Sequence, residues 1–257
     1  MTRLLREFFS PAVEFVRNFG AMALFFVQLL RYTPWTLFKR FNLVVGQVYN
    51  VGAMSCVIIL ICGLFIGGVL GLLTYANLER FNAEEATGVL VAFAMVKEIG
   101  PVITALLFAG RAGTSLASEI GLMKATDQLS AMEMMAVNPM QRVLVPRFLG
   151  GIISMPFLTA IFTMIGLFGA HLIVVEQHGV DVGTYWQQVQ QTMTTEDVYE
   201  GIFKSIVFGV VASLFAVWEG YSCEPTAAGV GRATTRTVVA TAIAVLILNF
   251  MITAYFI

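Results

Sequence analysis

The sequence predicts an all-α integral membrane protein: five transmembrane helices, an N-terminal interfacial helix before them, and a cytoplasmic helix between spans 2 and 3. Three observations predict this class: the composition, the length of the uncharged stretches and the uneven placement of Lys and Arg. The 257 residues are 58% hydrophobic and 12% charged, whereas about a quarter of the residues in a soluble domain are charged. The formal net charge of −1 argues against a nucleic-acid-binding protein.

The N-terminal segment, residues 1–40, is basic and aromatic, and its uncharged part is too short to cross a bilayer. Thirteen uncharged residues separate Arg17 from Arg31. They give about 20 Å of helix, whereas the hydrocarbon core is about 30 Å thick. A helix lying in the cytoplasmic interface is favoured, with a tilted or re-entrant segment as the alternative. The aromatic residues that support it are Phe8, Phe9, Phe15, Phe19, Phe25 and Phe26.

The five spans are predicted from apolar stretches long enough to cross a bilayer. They cover 45–73, 86–109, 148–175, 201–218 and 237–257. In the first span Gly63, Gly67 and Gly71 recur every four residues, a spacing that lets two helices approach closely. Pro156 is expected to bend the third span. No second soluble domain or repeat is evident, so residues 1–257 are predicted to form a single domain.

The second span contains the segment KEIGP, which begins at Lys97. Lys97 and Glu98 lie about twelve residues into the span, near mid-membrane, and predict a buried charge pair on one helix. Lys204 adds a third charge from the fourth span. Charged side chains inside a membrane are costly and usually mark function. A purely structural ion pair between helices is the alternative.

The placement of Lys and Arg predicts the orientation. Residues 1–40, 110–147 and 219–236 hold twelve basic residues, whereas the connections at 79–85 and 176–200 hold one. Because basic loops stay in the cytoplasm, we expect a cytoplasmic N-terminus and a C-terminus on the outer side.

The connection between spans 2 and 3 carries the segment EIGLMKATDQLSAMEMMAVNP, from Glu119 to Pro139. Its apolar spacing predicts an amphipathic helix over 115–137, ended by Asn138 and Pro139. This helix is poor in Lys and Arg, unlike helices that lie on anionic lipid, and methionines suit a protein groove. Docking to a cytoplasmic partner is favoured, and a helix lying on the lipid surface is the alternative. The candidate docking residues are Glu119, Lys124, Asp127, Met132, Glu133 and Met135.

Motifs for catalysis or metal binding are missing from the sequence. There is no phosphate-binding loop, nucleophile elbow or zinc-ligand spacing. His171 and His178 are interpreted as ordinary interfacial residues, and the three cysteines as small apolar side chains. The chain is therefore expected to be non-catalytic and to bind no cofactor itself.

Three segments closely resemble the MlaE family of permeases from bacterial phospholipid ABC transporters: 96–147, 47–52 and 228–239. The resemblance extends over essentially the whole chain. It implies a permease in the inner membrane of a Gram-negative bacterium that moves phospholipid between that membrane and periplasmic carriers, maintaining outer-membrane lipid asymmetry. It also implies that the helix between spans 2 and 3 is a coupling helix.

The same resemblance implies the partners. The permease would be a homodimer with two cytoplasmic ATPase subunits (MlaF), a STAS-domain subunit (MlaB) and a periplasmic hexamer of MCE domains (MlaD). ATP would be used by the ATPase partner.

A lipid site is expected where charge meets a long apolar wall. Leu70, Thr74, Leu78 and Phe81 share one helix face, and the resemblance supports Leu70, Leu78, Phe81 and Glu98 as cavity residues. Lys97 and Lys204 complete the candidate site. The sequence has Phe81 and Lys97 where the family has Tyr and Arg, and Lys cannot make the bidentate phosphate contact of Arg.

Two other function classes are considered. An ion-coupled secondary transporter would use Lys97, Glu98 and Lys204 as a charge relay, although such proteins often contain inverted repeats and five spans show none. An intramembrane lipid-modifying enzyme would need a nucleophile or metal motif, which the sequence lacks.

Overall fold

The fold is a bundle of long helices. The computed structural model describes the backbone of residues 2–256 and the side chains of residues 17–256, and this part of the chain contains no β-strand. Five helical segments in it are long and apolar enough to cross a membrane, which confirms the predicted number. We number them spans 1 to 5: Phe41–Glu79, Glu84–Ala125, Met140–Gln177, Thr195–Ser222 and Ala227–Phe256. Most extend past the predicted limits, because an apolar run marks only the part of a helix suited to lipid.

Helix α1, Thr2–Lys39, is one helix that packs against one end of the bundle. Phe25 is buried against the last turns of span 4, with its ring 5.3 Å from Trp218 and 5.5 Å from Tyr221. The side chains of Phe8, Phe9 and Phe15 lie outside the described residues. The interfacial position of this segment stays a prediction.

Span 1 consists of α2 (Phe41–Val51), a short 3₁₀ turn and α3 (Cys56–Glu79). The predicted glycine face of α3 is buried against α8 (Val145–His171) of span 3. A Cβ atom on Gly67 would collide with the backbone of Gly166, and one on Gly71 would lie 2.9 Å from the Cα of Ala170. The close helix contact predicted from the glycine spacing is confirmed.

Span 2 is helical from end to end but changes its winding twice. It contains α4 (Thr87–Phe93), α5 (Gly100–Phe108) and α6 (Thr114–Ala125). Two π-helical segments, Ala94–Ile99 and Ala109–Gly113, join them. The first half of the predicted cytoplasmic helix is thus a continuation of span 2.

The continuous helix predicted over 115–137 is wrong. The chain turns at Thr126 and Asp127, then forms the short helix α7, Gln128–Met134. Asp127 has a φ of 56°, in the left-handed region that ends a helix and that Asp tolerates better than most residues. Ala136, with a φ of 58°, ends the segment with a second reversal.

Span 3 contains α8 between π-helical segments at Met140–Leu144 and Leu172–Gln177. Pro156 lies inside α8. The helix packs between α3 on one side and α10 (Thr195–Ser222), the helix of span 4, on the other.

The connection predicted at 176–200 holds more structure than expected. It contains α9, Val182–Thr192, capped by Asp181, whose carboxylate accepts from the Thr184 amide at 2.8 Å. This hydrogen bond lowers the pKa of Asp181. Burial raises the pKa of Tyr185 to about 12, so its phenol stays neutral and donates to the Leu167 carbonyl.

The last helix, α11 (Ala227–Phe256), forms span 5 and packs against α6 and α10. Helix α10 is the most enclosed, contacting α5, α6, α8 and α11. Half of its most apolar stretch is buried within this one chain, against 17% for α11. Charged groups on α10 are therefore held between helices.

Candidate functional site

A charged network joins spans 2, 4 and 5. At its centre is Lys204, which is fully buried. Its ammonium lies 2.8 Å from Glu98 Oε1 and 2.8 Å from Glu200 Oε1. It also donates to the hydroxyl of Thr253 at 2.9 Å. A buried ammonium needs this degree of pairing, because an uncompensated one would lose its hydration at great cost.

Lys97 takes a different set of partners. Its ammonium lies 2.7 Å from Asp197 Oδ1 and 3.2 Å from Glu200 Oε2. The predicted pairing of Lys97 with Glu98 is therefore wrong. Neighbouring residues of one helix point in different directions, so Lys97 reaches the first turns of α10, whereas Glu98 reaches its third turn.

The backbone of span 2 explains why the network forms here. In an α-helix the Lys97 carbonyl would accept from the amide of residue 101, but Pro101 has no N–H. The Lys204 ammonium donates to that carbonyl at 2.9 Å. Local π-helix, which covers Ala94–Ile99, often occurs at functional sites.

Glu98 connects the network to span 5. Its Oε2 accepts from the Asn249 amide at 2.7 Å and its Oε1 accepts from the Thr253 hydroxyl at 2.8 Å. Asp197 is fixed in turn by the N-terminal cap of α10, where its carboxylate accepts from the amide and hydroxyl of Thr194. Each of the five charged side chains of the network therefore has an ion-pair partner; the five are Lys97, Glu98, Asp197, Glu200 and Lys204.

The network lies where two spans terminate. Asp197 and Glu200 are in the first turns of α10, and Thr253 is in the last turn of α11. Span 2 continues from Lys97 to Glu84, about 20 Å farther. The charges thus sit beside exposed helix ends.

A cavity of about 580 Å³ opens beside the network. One side is charged and the other is aromatic and aliphatic, a combination that suits a molecule with a polar head and an apolar tail. Its lining residues are Lys97, Glu196, Asp197, Tyr199, Glu200, Ile202, Phe203, Ile206 and Phe256.

The predicted apolar wall lies elsewhere. Leu70 is half-buried against the main core, Thr74 and Leu78 are half-buried, and Phe81 is 78% exposed just after α3. These four residues do not line the cavity beside Lys97. The single chain brings Lys97, Glu98 and Lys204 together and leaves the wall separate from them.

Sequence analysis missed four members of the network: Asp197, Glu200, Asn249 and Thr253. Asp197, Glu200 and Lys204 follow helical spacing on one face, but Asp197 and Glu200 lie outside the apolar stretch that predicts the fourth span. Asn249 and Thr253 lie four apart on α11, but nothing in their spacing distinguishes them from isolated polar residues. Pro101, four residues after Lys97, was a further signal.

The predicted docking residues divide into two groups. Glu119 forms an ion pair with Arg147 at 3.1 Å, and Met132 packs into a core cluster. Lys124 donates to the carbonyls of Tyr221 and Cys223 at 2.7 and 2.8 Å, which satisfies the C-terminal end of α10. These three residues hold the segment to the bundle.

The other group is free at the surface. Asp127 and Glu133 are exposed, as are Met134, at 84%, and Met135. Met134 was not among the predicted docking residues. We call these four residues the exposed tip; it is a compact acidic and methionine-rich surface next to two backbone reversals.

Several known proteins that are similar to this chain in sequence are permeases. The family model described as Permease MlaE matches residues 44–255. The chain is 46% identical over 253 residues to the intermembrane phospholipid transport system permease protein MlaE of Haemophilus influenzae, covering 94% of this chain and 97% of that protein. A probable ABC transporter permease protein of Rickettsia bellii is 35% identical, over 84% and 83% of the two chains. One of Rickettsia typhi is 34% identical, over 94% and 93%.

Proposed function

We propose that this chain, which belongs to the MlaE permease family, is the membrane-spanning subunit of an ABC transporter that moves phospholipids between membranes. The observation that carries this function is the 46% identity to a phospholipid transport permease over nearly the full length of both chains. The five spans and the cavity with charged and apolar sides fit it.

The orientation follows from the two unlike ends of the bundle. Lys124, Arg142 and Arg147 lie at the end that carries the exposed tip, which we place in the cytoplasm of a Gram-negative bacterium, below its inner membrane. The charged network then faces the periplasm, as does the C-terminus. Reporter fusions at residue 185 and at the C-terminus are expected to be active only in a periplasmic format.

The chain is proposed to work as a homodimer within a larger complex. Its partners are two ATPase subunits (MlaF), a STAS-domain subunit (MlaB) and a periplasmic MCE-domain hexamer (MlaD). ATP is bound and hydrolysed by MlaF, and this chain is non-catalytic and holds no cofactor. Phospholipid passes between the inner membrane and periplasmic carriers, which maintains outer-membrane asymmetry.

The exposed tip is the proposed contact with the ATPase. A cytoplasmic partner needs a surface that protrudes from the bundle and is rigidly connected to the spans. The tip meets both needs, because α6 continues span 2 and Lys124 fastens its end to α10. Two acidic side chains among methionines fit a basic, apolar groove.

Reversing the charge of the tip is expected to uncouple the ATPase. Asp127→Lys and Glu133→Lys should each lower ATP hydrolysis by the complex at least about tenfold, because the loss of one partner of a buried charge pair at an interface costs about 2–5 kcal/mol. Glu85→Lys, the same change at the other end of span 2, is the matched control. Wild-type hydrolysis and normal ATPase co-purification in both tip variants would favour a helix that merely lies on lipid.

The apolar wall is proposed to face lipid in the dimer cavity. A photo-crosslinking amino acid at Leu70, Leu78 or Phe81 is expected to capture phospholipid more strongly than one at Leu72. Leu72 is a suitable control because it is 44% exposed on the opposite face of α3. Equal capture of phospholipid on both faces of α3 would mean that the probes react with bulk lipid, and that Leu70, Leu78 and Phe81 do not form a lipid site.

The alternative of an ion-coupled secondary transporter is not favoured, since the relatives are ABC transporter permeases. The proposed relay residues are also paired within the structure: Lys204 contacts Glu98 and Glu200, and Lys97 contacts Asp197.

A further inference from the structure

A basic pocket lies at the end of the bundle opposite the charged network. It is formed where α1 ends, α2 begins and the π-helical segment Met140–Leu144 opens span 3, and it has a volume of about 430 Å³. Lys39, Arg40 and Arg142 line it together with the aromatic residues Phe38 and Phe41.

The three cations of this pocket have no acidic partner among the side chains that the structure describes. Within residues 17–256 no carboxylate forms an ion pair with Lys39, Arg40 or Arg142, and none lines the pocket. Arg40 Nη1 is buried and makes no hydrogen bond there. A buried guanidinium nitrogen without an acceptor is unusual and indicates that an acceptor from outside the chain belongs beside it.

Two further features of this pocket favour the binding of an anion. Arg40 is the N-terminal cap of α2 and provides no side-chain acceptor to its first turn, where the Leu43 amide donates to the Arg40 carbonyl at 3.0 Å. The positive end of the helix dipole at this N-terminus favours an anion. Lys39 and Arg40 lie over the ring of Trp35, at 5.7 and 5.1 Å from its centroid, which holds both cations near the pocket.

We propose that this pocket binds the phosphate of an anionic phospholipid from the adjacent leaflet. The rim supports a lipid over a free phosphate ion, because Phe38, Phe41 and Leu43 expose large apolar side chains there, Phe38 to 89%. Basic pockets at the cytoplasmic ends of membrane helices bind lipid headgroups in this way.

The chemistry of the pocket selects a net negative headgroup. A zwitterionic lipid carries an ammonium as well as a phosphate, and the ammonium would meet three cations here. The cavity beside Lys97 differs, since it offers the carboxylates of Glu196, Asp197 and Glu200 along with its lysine. The basic pocket is thus distinct in place and in charge from the proposed transport site, and does not depend on it.

The test uses the full-length chain in phosphatidylcholine nanodiscs that contain a photoactivatable phosphatidylglycerol. Crosslinked peptides that cover residues 38–43 and 140–147 are quantified by mass spectrometry. Arg40→Gln and Arg142→Gln are each expected to lower this capture about fivefold, the effect of one basic residue near an anionic headgroup. Arg232→Gln is the matched control, because Arg232 is an exposed arginine already paired with Glu224. Its capture is expected to stay at the wild-type level.

Three results would overturn the proposal. A photoactivatable phosphatidylcholine captured as well as phosphatidylglycerol would show that charge does not select the ligand. Displacement of the lipid by inorganic phosphate would identify a site for the free ion. Unchanged capture in both variants would show that the cations do not bind lipid. Arg40→Lys, which keeps the charge, is expected to retain most of the capture, so a folding defect in Arg40→Gln is recognised separately.

Discussion

Lys204→Met is expected to be among the most damaging single substitutions in this chain. It leaves the carboxylates of Glu98 and Glu200 without their shared cation, in a place where Lys204 itself is fully buried. Removing one partner of a buried ion pair costs about 3–5 kcal/mol. We expect a loss of that size in the free energy of unfolding, measured by denaturant titration in mixed micelles.

The double variant Lys204→Met, Glu98→Gln tests whether Lys204 and Glu98 stabilise each other. It removes one cation and one carboxylate together, so it is expected to recover part of the stability and to give a coupling free energy above about 1 kcal/mol. Lys97→Met should cost less, because Lys97 is partly exposed. If the stability losses of Lys204→Met and Glu98→Gln simply add up to the loss of the double variant, the two side chains are not coupled and the network assignment is wrong.

Glu98→Gln separates a structural role from a role in the transport path, because it removes the charge of the side chain while keeping its size and one acceptor oxygen. A structural network predicts reduced expression with normal lipid transport per surviving molecule. A lipid site predicts near-normal expression with impaired transport.

Gly67→Val is expected to have the second large effect. Its side chain would enter the backbone of Gly166, so α3 and α8 would have to separate along their whole contact. Overpacking of a tight core costs about 1–3 kcal/mol or more, and backbone atoms cannot move aside as a flexible side chain can.

The neighbouring glycine provides the control for that substitution. A Cβ on Gly68 would lie 3.5 Å from the Ile173 side chain, an ordinary contact. Gly68→Ala is therefore expected to leave stability within about 0.5 kcal/mol of wild type, whereas Gly67→Ala already destabilises. Equal stability of the two alanine variants, by the same denaturant titration, would contradict the helix contact.

The features that the sequence predicted well are those set by the bilayer and by local spacing. The thickness of the hydrocarbon core fixes the length of an apolar run, so the five spans follow from charge-free stretches. The glycines at 63, 67 and 71 predict close helix contact, because any larger side chain at such a spacing would hold the backbones apart.

Other features depend on contacts distant in sequence. The break at Asp127 requires a left-handed residue that is not glycine, which propensity disfavours without forbidding. The partner of Lys97 depends on the register of α10 against span 2, and no pattern within either helix fixes that register. The apolar wall does not line the cavity beside the charged network, and its place in the proposed dimer cavity depends on a second chain.

This chain is proposed to carry phospholipid through the membrane, driven by a separate ATPase. The most direct measurement reconstitutes the chain with its ATPase and the other partners in vesicles, and follows labelled phospholipid with and without ATP. We expect ATP-dependent transfer that falls sharply with Asp127→Lys and with Glu98→Gln while the complex stays assembled in the latter. Labelled phospholipid that moves at the same rate with ATP, without ATP and without this chain would contradict the proposed function.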